Sequence, residues 1–172
     1  MTIKIPKVEP GDIFFTENSW MFNWLINLYQ KQSSQDGKSE YGHAGVIIDF
    51  HGNTFEALST YRIQKLFKAY KGQKILIGRH KNMTPDKALY SYNAVQWRLG
   101  KRYPWWRIFM LGLGLAKWFN VTKLGDCSET MYEQLFYAGI CDKNWGGKTP
   151  DNGADMVRDF KGWSTVFEGV LP

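Results

Sequence analysis

The sequence predicts an α+β fold, an antiparallel sheet packed against helices. Two observations point there. Short β-branched or apolar runs bounded by turn signals cluster in the first half, and capped, helix-spaced patterns cluster in the second. A third, the length of 172 residues with 44% hydrophobic content, predicts one domain spanning 1–172, with no internal repeat and no linker-like gap. Such a chain buries a core without disulfide staples.

The elements follow in order. Gly11-Asp12 signals a turn, and Ile13-Phe14-Phe15 reads as a strand. Ser19 caps a helix whose apolar positions Trp20, Met21, Trp24, Leu25 and Leu28 recur at helical spacing. Gln30 to Gly42 is a polar loop. His43 to Asp49 reads as a strand, His51-Gly52-Asn53 as a turn, and Thr54 to Leu58 as the antiparallel partner. Lys74 to Arg79 is another strand. Thr84-Pro85-Asp86 starts a helix, with Pro in the first helical position, running through Leu89, Tyr92, Val95 and Leu99 to Gly100. Asp126 and Glu129 form a capping-box pattern opening a helix with Met131, Leu135 and Phe136, stopped by Gly139. Thr149-Pro150-Asp151 begins a turn or short helix, and Trp163 to Phe167 a final strand.

The most apolar run, Ile108 to Ala116, is nine residues between Arg107 and Lys117. As a helix it rises about 14 Å, against about 30 Å of hydrocarbon core, so it does not span a membrane. With Trp105, Trp106, Trp118 and Phe119 at its ends, residues 105–119 read as a buried helix, a substrate wall or a membrane-surface contact. The N-terminus carries no apolar stretch of a secretory signal. The expected location is therefore cytoplasmic, unless export is non-classical or a phage delivers the protein.

The net charge of +6 is unevenly placed. Residues 1–56 carry four basic and seven acidic side chains; residues 57–125 carry fourteen and one; residues 126–172 carry four and eight. The basic middle is either a solvated surface or a wall beside an anionic substrate or lipid headgroups. Its charges are dispersed and accompany no nucleic-acid-binding motif, so no nucleic-acid partner is expected.

Cys127 sits where a helix begins, among unpaired N–H groups that favour a thiolate, although Asp126 and Glu129 oppose this. An imidazole would complete the activation, and His43, opening a strand beside a Gly-rich turn, is placed to supply it. Each residue alone also fits a packing role. Cys127 and Cys141 fall about 20 Å apart along the helix, too far for a disulfide. His51 and His80 read as exposed, and no ligand spacing for a metal is present. No cofactor is expected.

Taken together, Gly11-Asp12, Gly42-His43-Ala44-Gly45-Val46, Glu56-Ala57, Gly100 with Tyr103, Cys127-Ser128-Glu129 and Thr149-Pro150 resemble the circularly permuted NlpC/P60 (papain-like) hydrolases. These include the YiiX-like and lecithin:retinol acyltransferase-like branches, in which the His strand precedes the Cys helix. The resemblance implies Cys127 as nucleophile, His43 as general base and Glu56 as the group that orients the imidazole. A tight hairpin centred on His51-Gly52 puts Glu56 opposite Ile47, about 13 Å along the strand from His43, and Thr60 opposite His43. A bulge or offset is therefore required if Glu56 is to reach the imidazole. The backbone N–H of Cys127 would meet the oxyanion. Tyr41 and Tyr103 either line the substrate site or pack.

The implied activity is a cysteine hydrolase or acyltransferase acting on amide or ester bonds, with cell-wall peptide or lipid-linked substrates. A non-catalytic module keeping the fold, and a basic nucleic-acid binder, are the competing readings.

Overall fold

The computed structural model describes residues 5–17, 40–102, 127–143 and 148–172. The helix expected from Ser19, segment 105–119, Tyr103, Asp126 and most of the polar loop lie outside them. Among the described residues, six strands form one antiparallel sheet. They are β1 Ile13–Thr16, β2 His43–Ile47, β3 Asn53–Ala57, β4 Tyr61–Lys65, β5 Lys74–His80 and β6 Trp163–Val170, in spatial order β4-β3-β2-β1-β5-β6. The helices among the described residues are α1 Leu66–Ala69, α2 Pro85–Val95, α3 Cys127–Tyr137 and α4 Pro150–Asp159. None of them is long and apolar enough to cross a membrane.

Central β1 is buried on both faces, and strand alternation divides its side chains between two cores. Ile13 and Phe15 join Ala44, Val46 and Leu76 beneath Met131 and Leu135 of α3 and Ala154 and Val157 of α4. Phe14 points the other way, among Ile47, Leu66, Tyr70, Ile75 and Ile77. Each fully buried Phe contributes about 1.5–3 kcal/mol by removal from water. At Gly78 the helix layer comes so near that an added Cβ would lie 2.4 Å from Val157.

The helix ends use the expected cap chemistry. Thr84 accepts a bond from Lys87 N (3.3 Å) ahead of Pro85. Thr149 and Asn152 form a reciprocal capping box at α4. After α3, Gly139 takes φ +69°, with Gly139 N donating to Phe136 O and Ile140 N to Leu135 O. That is a Schellman closure.

Three expectations are corrected. Strand β4 and the one-turn α1 were not foreseen, because Arg62, Ile63 and Lys65 are exposed on an edge strand and read as polar chain. Helix α2 ends at Val95 and tightens into a 3₁₀ turn over Gln96–Arg98, instead of continuing to Gly100. The β2–β3 hairpin is centred one residue earlier than expected. Asp49 Oδ1 accepts from both His51 N and Asn53 N (2.9 Å each), and Gly52 closes the turn at φ +74°. The resulting four-residue connection pairs Ile47 with Thr54 and Val46 with Phe55. Thr60 bridges to Arg102, not to His43.

Candidate active site

The hairpin shift governs where Glu56 falls. Continuing the observed register sets Glu56 across from Gly45, two residues from His43 on the same face. Side chains at such diagonal positions meet only when they are long and nothing stands between them. Gly45 leaves the way clear: a Cβ there would lie 2.9 Å from Glu56 Cγ and 2.6 Å from the Phe14 ring. Glu56 reaches over this bare backbone, and its Oε2 lies 2.9 Å from His43 Nε2. The offset that the sequence required is thus a displaced turn, not a bulge.

His43 is 2% exposed and Glu56 0%. The imidazole packs against the Phe14 ring, edge-on at 6.1 Å, and the Tyr70 ring, stacked at 6.1 Å, and those two rings also meet each other. Around Glu56 stand three further donors. Gln64 Nε2 donates to Oε2 at 2.9 Å, Tyr70 OH donates to the same oxygen, and Thr54 Oγ1 donates to Oε1. Gln64 also donates to Tyr70 OH at 3.1 Å. Burial pushes the carboxyl pKa up, but the bonds and charge of His43 and the donors Thr54 and Tyr70 hold it below its ordinary value.

Cys127 comes from the opposite layer. Pairing between β2 and β3 stops at Val46–Phe55, and at that end Cys127 packs on the cluster of Phe55, Ala57, Tyr61 and Val95. The half-buried thiol stands near enough to His43 to act on its imidazole. Burial disfavours the imidazolium, yet the bonds and charges of Cys127 and Glu56 raise its pKa to about 10. The arrangement can therefore hold a proton on the imidazole beside a reachable sulfur.

Tyr41 stands elsewhere. It is fully buried beside Phe15, and its hydroxyl meets Glu168 (3.2 Å) and Arg158 (3.4 Å). Tyr103 lies outside the described residues. Both cysteines are free, as their spacing predicts, and burial lifts the Cys141 thiol pKa to about 11. Sequence reasoning missed Thr54, Gln64, Tyr70 and the gap at Gly45. For Thr54 the signal was period-two alternation with Glu56 on the same strand; for Gln64, on a strand the sequence did not reveal, and for Tyr70 there was none. Among the described residues no group of three or more His, Cys, Asp or Glu could hold a metal ion.

No family model and no curated protein matches the sequence. Among solved structures, the metalloprotein YiiX of Escherichia coli O157:H7, described as DUF1105, matches with a TM-score of 0.64. The match covers 95% of this chain and 99% of YiiX at 16% identity. At that identity the likeness is one of fold: the chain has a YiiX-like α+β architecture.

Proposed function

We propose that the chain is a thiol hydrolase or acyltransferase of the permuted NlpC/P60 kind, cleaving amide or ester bonds through an acyl-enzyme on Cys127. The observation that carries this is the buried His43–Glu56 pair with the half-buried Cys127 sulfur beside the imidazole.

In the reaction, His43 takes the thiol proton and the sulfur attacks the carbonyl carbon. With Nε2 bonded to Glu56, Nδ1 is the nitrogen left to move that proton. The oxyanion is met by the Cys127 backbone N–H, and the imidazolium protonates the departing amine or alcohol. Water or an acceptor group then attacks the thioester. It yields its proton to His43, and the released thiolate takes it back. Glu56 stays ionised and fixes the ring, as the third member of such triads does.

Two substrate classes fit, cell-wall peptides and lipid-linked acyl or amide bonds. Exposed Tyr90 and Trp97, with Lys101 Nζ 3.9 Å over the Trp97 ring, favour the second, which is both apolar and anionic. The metal in YiiX's description finds no matching donor set among the described residues, and Glu56 Oε2 is already filled by three donors. No step is assigned to a metal.

The test is labelling with a thiol-reactive acyl probe. Cys127 should acylate, Cys127→Ala should abolish the label, and His43→Ala should slow it about 10²–10⁴-fold. Equal labelling of Cys141 and Cys127, or indifference to His43→Ala, sinks the reading.

A further inference from the structure

We infer that Tyr70 is a positioning residue of this site: its hydroxyl, with the Gln64 amide, shares the charge of Glu56 and thereby sets how tightly His43 holds its proton. This rests on the reading of His43 as the base. Neither motif nor resemblance points to Tyr70; only the folded geometry brings it there.

The proton count around Glu56 is informative. Oε2 receives His43 Nε2, Gln64 Nε2 and Tyr70 OH, and Oε1 receives Thr54 Oγ1. As a carboxylate Glu56 can accept from all four of these groups at once, whereas a protonated carboxyl would have to turn one of them into an acceptor. Glu56 is therefore held as an anion. The Gln64 amide spends one hydrogen on Glu56 and the other on Tyr70 OH, which leaves the phenol proton for Glu56 alone. The Thr54 hydroxyl has a single proton and a second acceptor, Gln64 O at 3.0 Å. Tyr70 and Gln64 are thus the undivided donors.

A carboxylate satisfied by several donors attracts each of them less. Remove one, and the remaining partners are bound more strongly. Without the phenol, Glu56 pulls harder on the His43 Nε2 proton, so the imidazolium persists to higher pH and becomes a poorer acid for the leaving group. The Tyr70 ring adds a geometric constraint, stacking on His43 at 28° and touching Phe14 at 5.5 Å. Its backbone is tied at both ends, Tyr70 N to Leu66 O and Gln73 N to Tyr70 O. Burial and the Glu56 charge hold the phenol pKa far above its ordinary value, so it donates without ionising. The other titratable or charged groups acting here are Cys127 from α3 and Arg62 from β4.

Tyr70→Phe keeps the ring and removes the hydroxyl. With ring-labelled histidine, NMR distinguishes three residues, His43, His51 and His80. At neutral pH the His43 Nε2–H resonance should move further downfield in Tyr70→Phe. Its titration midpoint, and the alkaline limb of Cys127 acylation, should rise by about one pH unit. Tyr70→Leu, lacking ring and hydroxyl, should shift the midpoint likewise and also lose thermal stability. A Tyr70 that only packs would leave the His43 resonance and midpoint unmoved in Tyr70→Phe, and that result overturns the inference. If Cys127 proves unreactive while His43 still shifts, the hydrolase reading falls and the Tyr70–Glu56–His43 coupling stands.

Discussion

Replacing Gly45 by Ala adds one methyl group where the base and its carboxylate are joined. The new Cβ would lie 2.6 and 2.7 Å from two Phe14 ring atoms and 2.9 Å from Glu56 Cγ. Neither neighbour is a loose end: both are fully buried, and Glu56 is bonded through both oxygens. Overpacking of this sort costs about 1–3 kcal/mol. At about 2–4 °C per kcal/mol for a domain of this size, Tm should fall by roughly 2–12 °C. The loss of reactivity is separable from the loss of stability. Pushing Glu56 about 1 Å aside frees the imidazole, and a misplacement of that size costs about 10²-fold in rate. Gly78→Ala is the matched control, since its Cβ would meet Val157 at 2.4 Å on the other face of the sheet. Thermal melts and Cys127 acylation well below each Tm, read on both variants, decide the matter. A Gly45→Ala protein that melts and acylates like wild type would refute the close-approach account. So would a Gly78→Ala protein that loses as much reactivity at equal stability.

Two further outcomes concern stability. The His43 pKa is raised in the fold from 6.5 to about 10, so its contribution is complete below about 6.5 and lost as pH climbs through 10. The Glu56 pKa is lowered, so its contribution is present above the ordinary carboxyl range and lost as pH falls through its folded value. Denaturant midpoints should therefore decline on the alkaline side, and His43→Asn should flatten that slope; an unchanged slope rejects the pairing. Asp12, 1% exposed, accepts from Arg79 Nε (2.7 Å), Arg79 Nη2 (2.8 Å) and Glu9 N (2.8 Å). Arg79→Ala should cost roughly 1–3 kcal/mol by urea denaturation. Arg79→Lys should recover only part, because an ammonium cannot bond both oxygens in the same fork.

Local signals in the sequence carried far. Ile13-Phe14-Phe15, the Thr84-Pro85 and Thr149-Pro150 starts and the Gly139 stop all lie in the elements expected, because each is decided within a few residues. Register was harder to read. His51-Gly52 looks like the hairpin centre, but the Asp49 carboxylate gathers two backbone N–H groups and moves the turn back by one residue. That single step moves Glu56 from opposite Ile47 to opposite Gly45. The donors around Glu56 were less legible still. Gln64 lies on an edge strand that looked like polar chain, and Tyr70 caps a single helical turn that no periodicity could reveal.

The contacts that make this site differ greatly in the chain length they enclose. Glu56 meets Thr54, Gln64, His43 and Tyr70 across 2 to 14 residues. The approach of Cys127 to His43 encloses 84, by their positions in the chain. Closing a loop costs about 0.6 kcal/mol for each doubling, so the long contact is dearer by about 1.6 kcal/mol than the His43–Glu56 one. Base and carboxylate are a local affair of one hairpin and its neighbour, whereas the sulfur arrives from a distant stretch of chain. Mild destabilisation should therefore part thiol from imidazole first, silencing the protein while its sheet is still intact.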